Sequence, residues 1–324
     1  MKKIVLFDPS IATLNIGDEI IKKSIEKNFP ELNKSYIVNF PTHTPPYYRL
    51  QRICKQKMLR TISDADYKFF CGTNALYTSM LRPFPQWNVS IFNSALYKNT
   101  ILLGVGAGIN SKKVNFYTKK LYDRLLSHDY IHSVRDDYTA DFLDKLGFRA
   151  VNTSCPTMWG LTPEHCTKIP IKKGKDVIFT LTSYDYDMEN DKMMVEILRK
   201  NYERLYFWPQ TVDDAEYLRE IGDKDIQIVP ANLASYDMML NRDIDYVGNR
   251  LHGGIFALQH ACRSIIIAID YRAANMGQSF GLPVIERTDI GEKLDRMINT
   301  EWATNINGMN FENIKSWKSQ FNFD

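Results

Sequence analysis

At 324 residues the chain is longer than one compact domain usually is, so two domains of roughly 150 residues each are expected, either large enough to bury a core. An apolar fraction of 44% with 24% charged residues is ordinary for a soluble globular protein, and a formal charge of +3 argues against nucleic acid as the main partner. The five cysteines, Cys54, Cys71, Cys155, Cys166 and Cys262, form no C-x-x-C and no zinc-like pairing with histidine, and read as reduced, buried thiols of a cytoplasmic protein.

The N-terminus MKKIVLFDPSIATLNIGDE carries an apolar run of only about five residues before a polar turn, too short for a signal peptide, and reads as a first strand at Ile4 to Phe7. A helix from Asp18 to Asn28 follows, with Ile20, Ile21, Ile25 and Phe29 on one face. Strands are expected at Lys34 to Asn39, Tyr67 to Cys71, Thr100 to Val105 and Ile131 to Val134, and a helix from Tyr138 to Leu146 stopping at Gly147. The pattern breaks at NTSCPTMWGLTP, Asn152 to Pro163, which sets a boundary between an N-terminal domain of residues 1–155 and a C-terminal domain of residues 156–324. The second set has strands at Val177 to Leu181, Arg204 to Trp208, Ile226 to Val229, Asp245 to Val247 and Ser264 to Ile269. Between them lie helices at Asp191 to Tyr202, Asp213 to Ile221, Leu233 to Asn241 and Gly254 to Ala261. From Ile290 the chain reads as helical, with a last piece that folds back onto the first domain. Such alternation predicts α/β architecture with two Rossmann-like domains facing a cleft. No apolar segment approaches the roughly 20 residues needed to span a bilayer.

Open parallel sheets bind ligands beyond the carboxyl ends of their strands, so the informative loops are SIATLNIGDE, CGTNALY, GVGAGIN, SVRDDYT, TSYDYD, WPQ, GNRLHGG and IDYRAAN. GNRLHGG follows a strand and opens a helix. The N–H groups of Gly253, Gly254 and Ile255 are therefore expected at a helix N-terminus, an anion site, where Arg250 offers a planar fork and His252 exchanges a proton near neutral pH. The competing structural reading makes Arg250 an ion-pair partner and His252 a hydrogen-bonded core histidine. Arg135 in SVRDD occupies the corresponding place in the first domain, with a salt bridge to Asp136 or Asp137 as its structural alternative. GVGAG, Gly104 to Gly108, fails the dinucleotide spacing because Ile109 stands where glycine is required; the segment with Gly106 reads as a tight strand exit where backbone approaches ligand, or as a purely structural turn. No GxxxxGK[ST], HExxH or GxSxG is present. His128 and His132 lie four apart without a third ligand in sight and read as surface or packing residues.

Together NIGDE, GTNAL, GVGAG, SVRDDYTADFLDKLG, NTSCPT and especially NRLHGGIFAL followed by IDYRAANMGQSFGLPVI resemble the polysaccharide pyruvyl transferases, in the right order over most of the chain. One departure is Cys71-Gly72-Thr73-Asn74, where many members carry a Gly-Gly pair. The resemblance implies a GT-B-like fold and transfer of the pyruvyl group of phosphoenolpyruvate, as a ketal, to a sugar of a capsule or exopolysaccharide or of its lipid-linked precursor. It carries over the Arg and His of the R-L-H-G motif to Arg250 and His252 and the S-V-R-D arginine to Arg135.

Such a donor bears a carboxylate and a phosphate on one small frame. It calls for two separated cationic groups with backbone donors: Arg250 with Gly253 and Gly254 for one anion, Arg135 or Arg272 for the other, near Gly106. His252 is the expected general acid that protonates the methylene carbon, or else it stabilises the departing phosphate while a carboxylate, Asp18 or Asp136, serves as base. Arginines suffice to neutralise the charge, so neither metal nor cofactor is demanded. The acceptor is expected against the N-terminal domain near Asn15, Glu19, Asn74 and the aromatic loop holding Tyr47 and Tyr48, whose rings either stack on sugar or are merely part-buried at the domain surface. RLQRICKQKMLR, Arg49 to Arg60, reads as a basic amphipathic helix able to lie on an anionic membrane, or as an ordinary solvated one. The alternative enzyme class is a GT-B-like glycosyltransferase with a nucleotide-sugar donor; a non-catalytic glycan-binding protein is a third.

Overall fold

A computed structural model describes residues 1–45, 47, 56–83, 85–108, 111, 113–222 and 226–323. The chain divides into two compact units: unit 1 comprises Met1–Thr13, Ile21–Trp159 and Asn310–Asp324, and unit 2 comprises Leu14–Ile20 and Gly160–Met309.

In unit 1, β1 (Lys3–Asp8), β2 (Tyr36–Pro41), β3 (Tyr67–Cys71) and β5 (Thr100–Leu103) form a parallel sheet in the order β2-β1-β3-β5. Helix α1 (Gly17–Asn28) follows β1 and α2 (Gln56–Ser63) precedes β3. Strands β1 and β3 are apolar nearly throughout because parallel strands are covered on both faces. A charged residue in the middle of β3 is Lys68, buried, whose ammonium donates to Lys98 O at 2.9 Å and is pushed down to about 8 by burial. A short parallel pair not foreseen in the sequence joins β4 (Asn74–Tyr77) to β6 (Gly106–Gly108). After α3 (Phe116–Leu125), β7 (His132–Val134) pairs with β8 (Ala150–Asn152) across α4 (Asp137–Asp144).

A histidine side chain marks the seam between β5 and β7. Leu102 N–H donates to His132 Nδ1 at 3.1 Å, while Nε2 lies 2.9 Å from Ser127 O, which fixes the neutral ring with its proton on Nε2. His132 is fully buried, and burial lowers its pKa to about 4. His128, exposed, stacks on Phe148.

Unit 2 contains one six-stranded parallel sheet built from β9 (Asp176–Thr180), β10 (Arg204–Phe207), β11 (Gln227–Ile228), β12 (Ile244–Gly248), β13 (Ser264–Ala268) and β14 (Val284–Glu286). The connecting helices are α5 (Met188–Asn201), α6 (Val212–Ile221), α7 (Leu233–Leu240), α8 (Leu251–Gln259) and α9 (Tyr271–Phe280). The order β11-β10-β9-β12-β13-β14 is that of a doubly wound dinucleotide-type sheet, with its direction reversing between β9 and β12. Residues from Ile290 are helical only to Asn299; the next helix, α10 (Phe311–Ser319), belongs to unit 1, where Trp317 packs edge-on against Phe29 and Phe69 and donates to Ile131 O at 2.7 Å.

Four cysteines among the described residues, Cys71, Cys155, Cys166 and Cys262, are buried free thiols. No helix among the described residues is long and apolar enough to cross a membrane.

Candidate functional site

The reversal point of unit 2 is where the polar chemistry collects. Strand β12 delivers Asn249 and Arg250 beside the end of β9: Asn249 N–H donates to Thr180 O at 3.3 Å, Arg250 N–H to Thr180 Oγ1 at 3.3 Å, and Tyr246 Oη to Arg250 O at 2.9 Å. Fixed this way, Arg250 becomes the N-cap of α8 and only 5% of it remains exposed. Its guanidinium donates from Nε to Leu181 O, pairs through Nη2 with both oxygens of Asp214, and lies 4.9 Å from the Tyr184 ring centre.

Asp214 is wholly buried and saturated. It accepts from Ser183 N and Oγ, each at 3.0 Å, and from the N–H groups of Gln210 and Thr211, each at 3.1 Å, the last closing a capping box at the start of α6. The carboxylate therefore ties the loops after β9 and β10 to Arg250. A second buried hub lies behind it: Arg287 donates to Asp191 Oδ2 and to Asp185 O, Tyr217 Oη donates to Asp191 Oδ2 at 2.8 Å, and Asn249 reaches Asp191 Oδ1. Burial pushes the Asp191 carboxyl above its ordinary value despite Arg287 and Tyr217.

At three neighbouring strand ends a buried polar atom has no hydrogen-bond partner: Thr182 Oγ1 after β9, Gln210 Nε2 after β10 and Asn249 Oδ1 after β12. Buried polar atoms are nearly always paired, so three such atoms at adjacent strand ends mark a candidate ligand position. Gln210 has a special place in it. A Cβ added at Gly253 would lie 2.8 Å from Gln210 Nε2, and one at Gly17 would lie 3.0 Å from Gln210 Oε1, while Ile16 N–H donates to Gln210 O at 3.2 Å. The first turns of α1 and α8 thus converge on one amide, and helix N-termini favour anions.

The sequence expectations are revised here in several respects. Helix α8 begins three residues earlier than expected, so Gly254 N–H is spent on Arg250 O at 3.0 Å. The N–H groups that precede the helical ladder are those of Leu251, His252 and Gly253, not Gly254 and Ile255. Gly254 instead serves packing, because a Cβ there would sit 2.5 Å from Ile266 Cγ1 and 2.8 Å from Tyr246 Cε1. His252 is half-buried in the first turn of α8. Arg272, at the start of α9, is engaged by Asp270 at 2.6 and 2.9 Å; burial raises the Asp270 carboxyl, but the guanidinium outweighs it and holds the pKa below the ordinary value.

Asn15, Asp18 and Glu19, expected on the acceptor side of the N-terminal domain, group with unit 2 through the Ile16–Gln210 bond. Asn15 Oδ1 caps α1 by accepting from Gly17 N–H at 3.0 Å, Asp18 is half-buried and Glu19 is exposed.

In unit 1 the guanidinium of Arg135 lies across Gly106, where an added Cβ would sit 2.4 Å from Arg135 Nε and 2.5 Å from Asn74 Oδ1. Only glycine permits that approach. Asn74 Oδ1 is buried without a hydrogen-bond partner, so these three residues form a second polar cluster, beside Asp136 Oδ2 at 3.4 Å from Arg135 Nε. Asp136 itself caps α4, its Oδ1 accepting from Thr139 N–H and Oγ1 at 2.8 and 2.6 Å. Tyr47 is half-buried edge-on against Phe40, with its hydroxyl pKa raised by burial. Of the basic stretch, Gln56 to Arg60 is helical, whereas Arg49 to Lys55, with Tyr48, lies outside the described residues.

Residue-type reasoning alone passed over Thr182, Gln210, Asp214 and Tyr184, although the loops TSYDYD and WPQ carry three of them and the Thr211-to-Asp214 spacing is a capping-box signal. Among the described residues no group of three or more His, Cys, Asp or Glu is placed to hold a metal ion.

A family model for polysaccharide pyruvyl transferase matches residues 15–271. A search of the curated proteins finds no match. Among solved structures, the fold is similar to the S. aureus MnaA–UDP co-structure, with a TM-score of 0.53 and 11% identity over 99% of this chain and 98% of that one. It is also similar to Methanocaldococcus jannaschii UDP-GlcNAc 2-epimerase in complex with UDP-GlcNAc and UDP, with a TM-score of 0.51 and 13% identity over 98% and 99%. At such identities the likeness is one of fold, that of GT-B-like proteins with Rossmann-like α/β units. The family match spans both units and includes Arg135, Arg250 and His252, and the chain belongs to the polysaccharide pyruvyl transferase family, a family of transferases that modify polysaccharides.

Proposed function

We propose that the protein transfers the pyruvyl group of phosphoenolpyruvate to a sugar of a cell-surface polysaccharide or its lipid-linked precursor, forming a pyruvate ketal. The observation that carries this reading is the unpaired Gln210 Nε2 at the meeting point of two helix N-termini, next to Arg250: a site made for a small anion. Gln210, Gly253 and the start of α8 hold one anionic group of the donor. Arg250 is neutralised by Asp214, so it supplies directed N–H donors more than net charge, and Arg272 adds a half-exposed fork. Arg135 and Gly106 with Asn74 serve as the second polar cluster.

In the reaction a proton is added to the methylene carbon of phosphoenolpyruvate, leaving an oxocarbenium-like carbon. One sugar hydroxyl attacks it and loses its proton to a base, phosphate departs with the C–O bonding pair, and a second hydroxyl closes the ketal as its proton passes to the departing phosphate. His252 is the acid, or the partner of the departing phosphate, and Asp18 the base. The reaction takes place at the inner face of the membrane without a resident cofactor.

Comparing thermal stabilisation by phosphoenolpyruvate, UDP and UDP-sugars tests this, because a ligand that binds only the folded chain raises its melting temperature by mass action. Stabilisation by phosphoenolpyruvate, lost in Gln210→Leu, is expected. Stabilisation by a UDP-sugar and none by phosphoenolpyruvate would sink the proposal in favour of glycosyl transfer, a reading motivated by the UDP bound in the two similar structures.

A further inference from the structure

Charge is distributed very unevenly along the chain. From Leu32 to Tyr122 there are thirteen Lys and Arg against two acids, Asp64 and Asp66, a net of +11, whereas the remainder, with 28 basic against 36 acidic residues, carries −8. All of this basic stretch lies in unit 1. A segregated charge of this size builds a local field that the net +3 conceals.

Exposed apolar side chains occur in the same stretch. Phe92, Phe116 and Leu81 are 88%, 76% and 66% exposed. Each adjoins the first turn of α3: Phe116 is its first residue, Ile91 N–H, next to Phe92, donates to Tyr117 Oη at 3.3 Å, and Met80 N–H, next to Leu81, donates to Thr118 Oγ1 at 2.9 Å. The helix buries Thr118, Leu121, Tyr122 and Leu125 and turns Phe116, Lys119 and Lys120 outward, with Lys120 Nζ 5.8 Å from the Phe116 ring centre. Lys113 just before it is exposed, as are Lys57 and Arg60 on α2, which packs on the turn Ser94–Tyr97 that follows Phe92. Arg82, near Leu81, lies over Tyr77.

We infer that the face of unit 1 around the start of α3 binds the surface of an anionic membrane, with Phe92, Phe116 and Leu81 entering the headgroup region and Lys113, Lys119, Lys120, Lys57 and Arg60 meeting lipid phosphates. A soluble polyanion would need the cations but not the rings; large exposed aromatics interleaved with lysine match a surface whose charge overlies hydrocarbon. The inference gives the membrane location proposed above a surface, while the vesicle binding that tests it does not depend on the pyruvyl chemistry.

Co-sedimentation of the full chain with vesicles tests it, using phosphatidylcholine alone and equal parts of phosphatidylcholine and phosphatidylglycerol. Binding to the anionic vesicles only, weakened by salt, is expected. Lys119→Glu with Lys120→Glu weakens partitioning about 30-fold or more, each cation near such a surface being worth roughly fivefold. Phe92→Ser with Phe116→Ser weakens it on the order of tenfold per ring. All four positions are exposed, and circular dichroism matching the wild type shows that the variants remain folded. Equal binding to neutral vesicles, no binding to anionic ones, or no effect of the lysine reversals would overturn the inference. So would heparin displacing the protein while the phenylalanine variant binds as well as wild type, since the partner would then be a soluble polyanion.

Discussion

His132 makes stability acid-sensitive in a way that can be worked out from its contacts. Its neutral ring accepts from Leu102 N–H and faces Ser127 O, completing the seam between β5 and β7. Protonating Nδ1 would break the first bond and place a charge at a fully buried site. The folded chain holds this pKa at about 4, against 6.5 for an unperturbed histidine. Between those values the unfolded chain binds the extra proton and the folded chain does not, so stability is fully present above pH 6.5 and falls as pH drops toward 4. The difference of 2.5 pH units at 1.36 kcal/mol each corresponds to about 3 kcal/mol, most of it already lost near pH 4.5. Urea unfolding at pH 7 and pH 4.5, compared between wild type and His132→Gln, isolates the effect, because the amide can accept and donate but does not titrate there. The wild type should lose about 2.5 kcal/mol more than the variant over this interval. An NMR titration placing the His132 ring near pH 6.5, or identical pH dependence in the two proteins, would refute the reasoning.

Arg250→Ala should destabilise the chain by about 3–5 kcal/mol, because it strands the wholly buried Asp214 carboxylate; denaturant unfolding with less than about 1 kcal/mol lost would show that the four remaining donors to Asp214 suffice. His252→Ala should fold normally yet slow phosphate release from phosphoenolpyruvate by roughly 100-fold or more, and wild-type turnover would remove His252 from the mechanism. In Gly106→Ala the new Cβ would meet Arg135 Nε at 2.4 Å, so turnover should fall at least about tenfold with little change in melting, since a misplaced side chain disturbs positioning more than folding. Gly254→Ala should cost about 1–3 kcal/mol of stability through overpacking against Ile266 and Tyr246, measured in the same unfolding assay.

The location of the unit 2 cluster was legible because local rules govern it. A strand followed by glycines and a helix puts Arg250, His252 and Gly253 at a strand end, and the loops TSYDYD and WPQ were identified by the same rule. The start of α8 was misplaced because glycine is a weak helix former by propensity, whereas Tyr246 and Thr180 pin Arg250 into the N-cap position and let Leu251 begin the helix. Short β4 and β6 escaped notice for a similar reason, since strands of three or four residues leave almost no periodicity to read.

The α/β alternation, the apolar central strands, the family motifs and the loops in which chemistry is expected can all be read from the order of residues. These follow from properties of single residues and their near neighbours: propensity, period, caps and charge. Folding in three dimensions was needed to reveal that Asp214 neutralises Arg250, that Leu14–Ile20 joins unit 2 through Gln210, and that Thr182, Gln210 and Asn249 keep unpaired atoms. Each of those depends on partners brought together from distant parts of the chain, and whether a buried polar group is paired is a property of the packed interior that no local stretch of residues encodes.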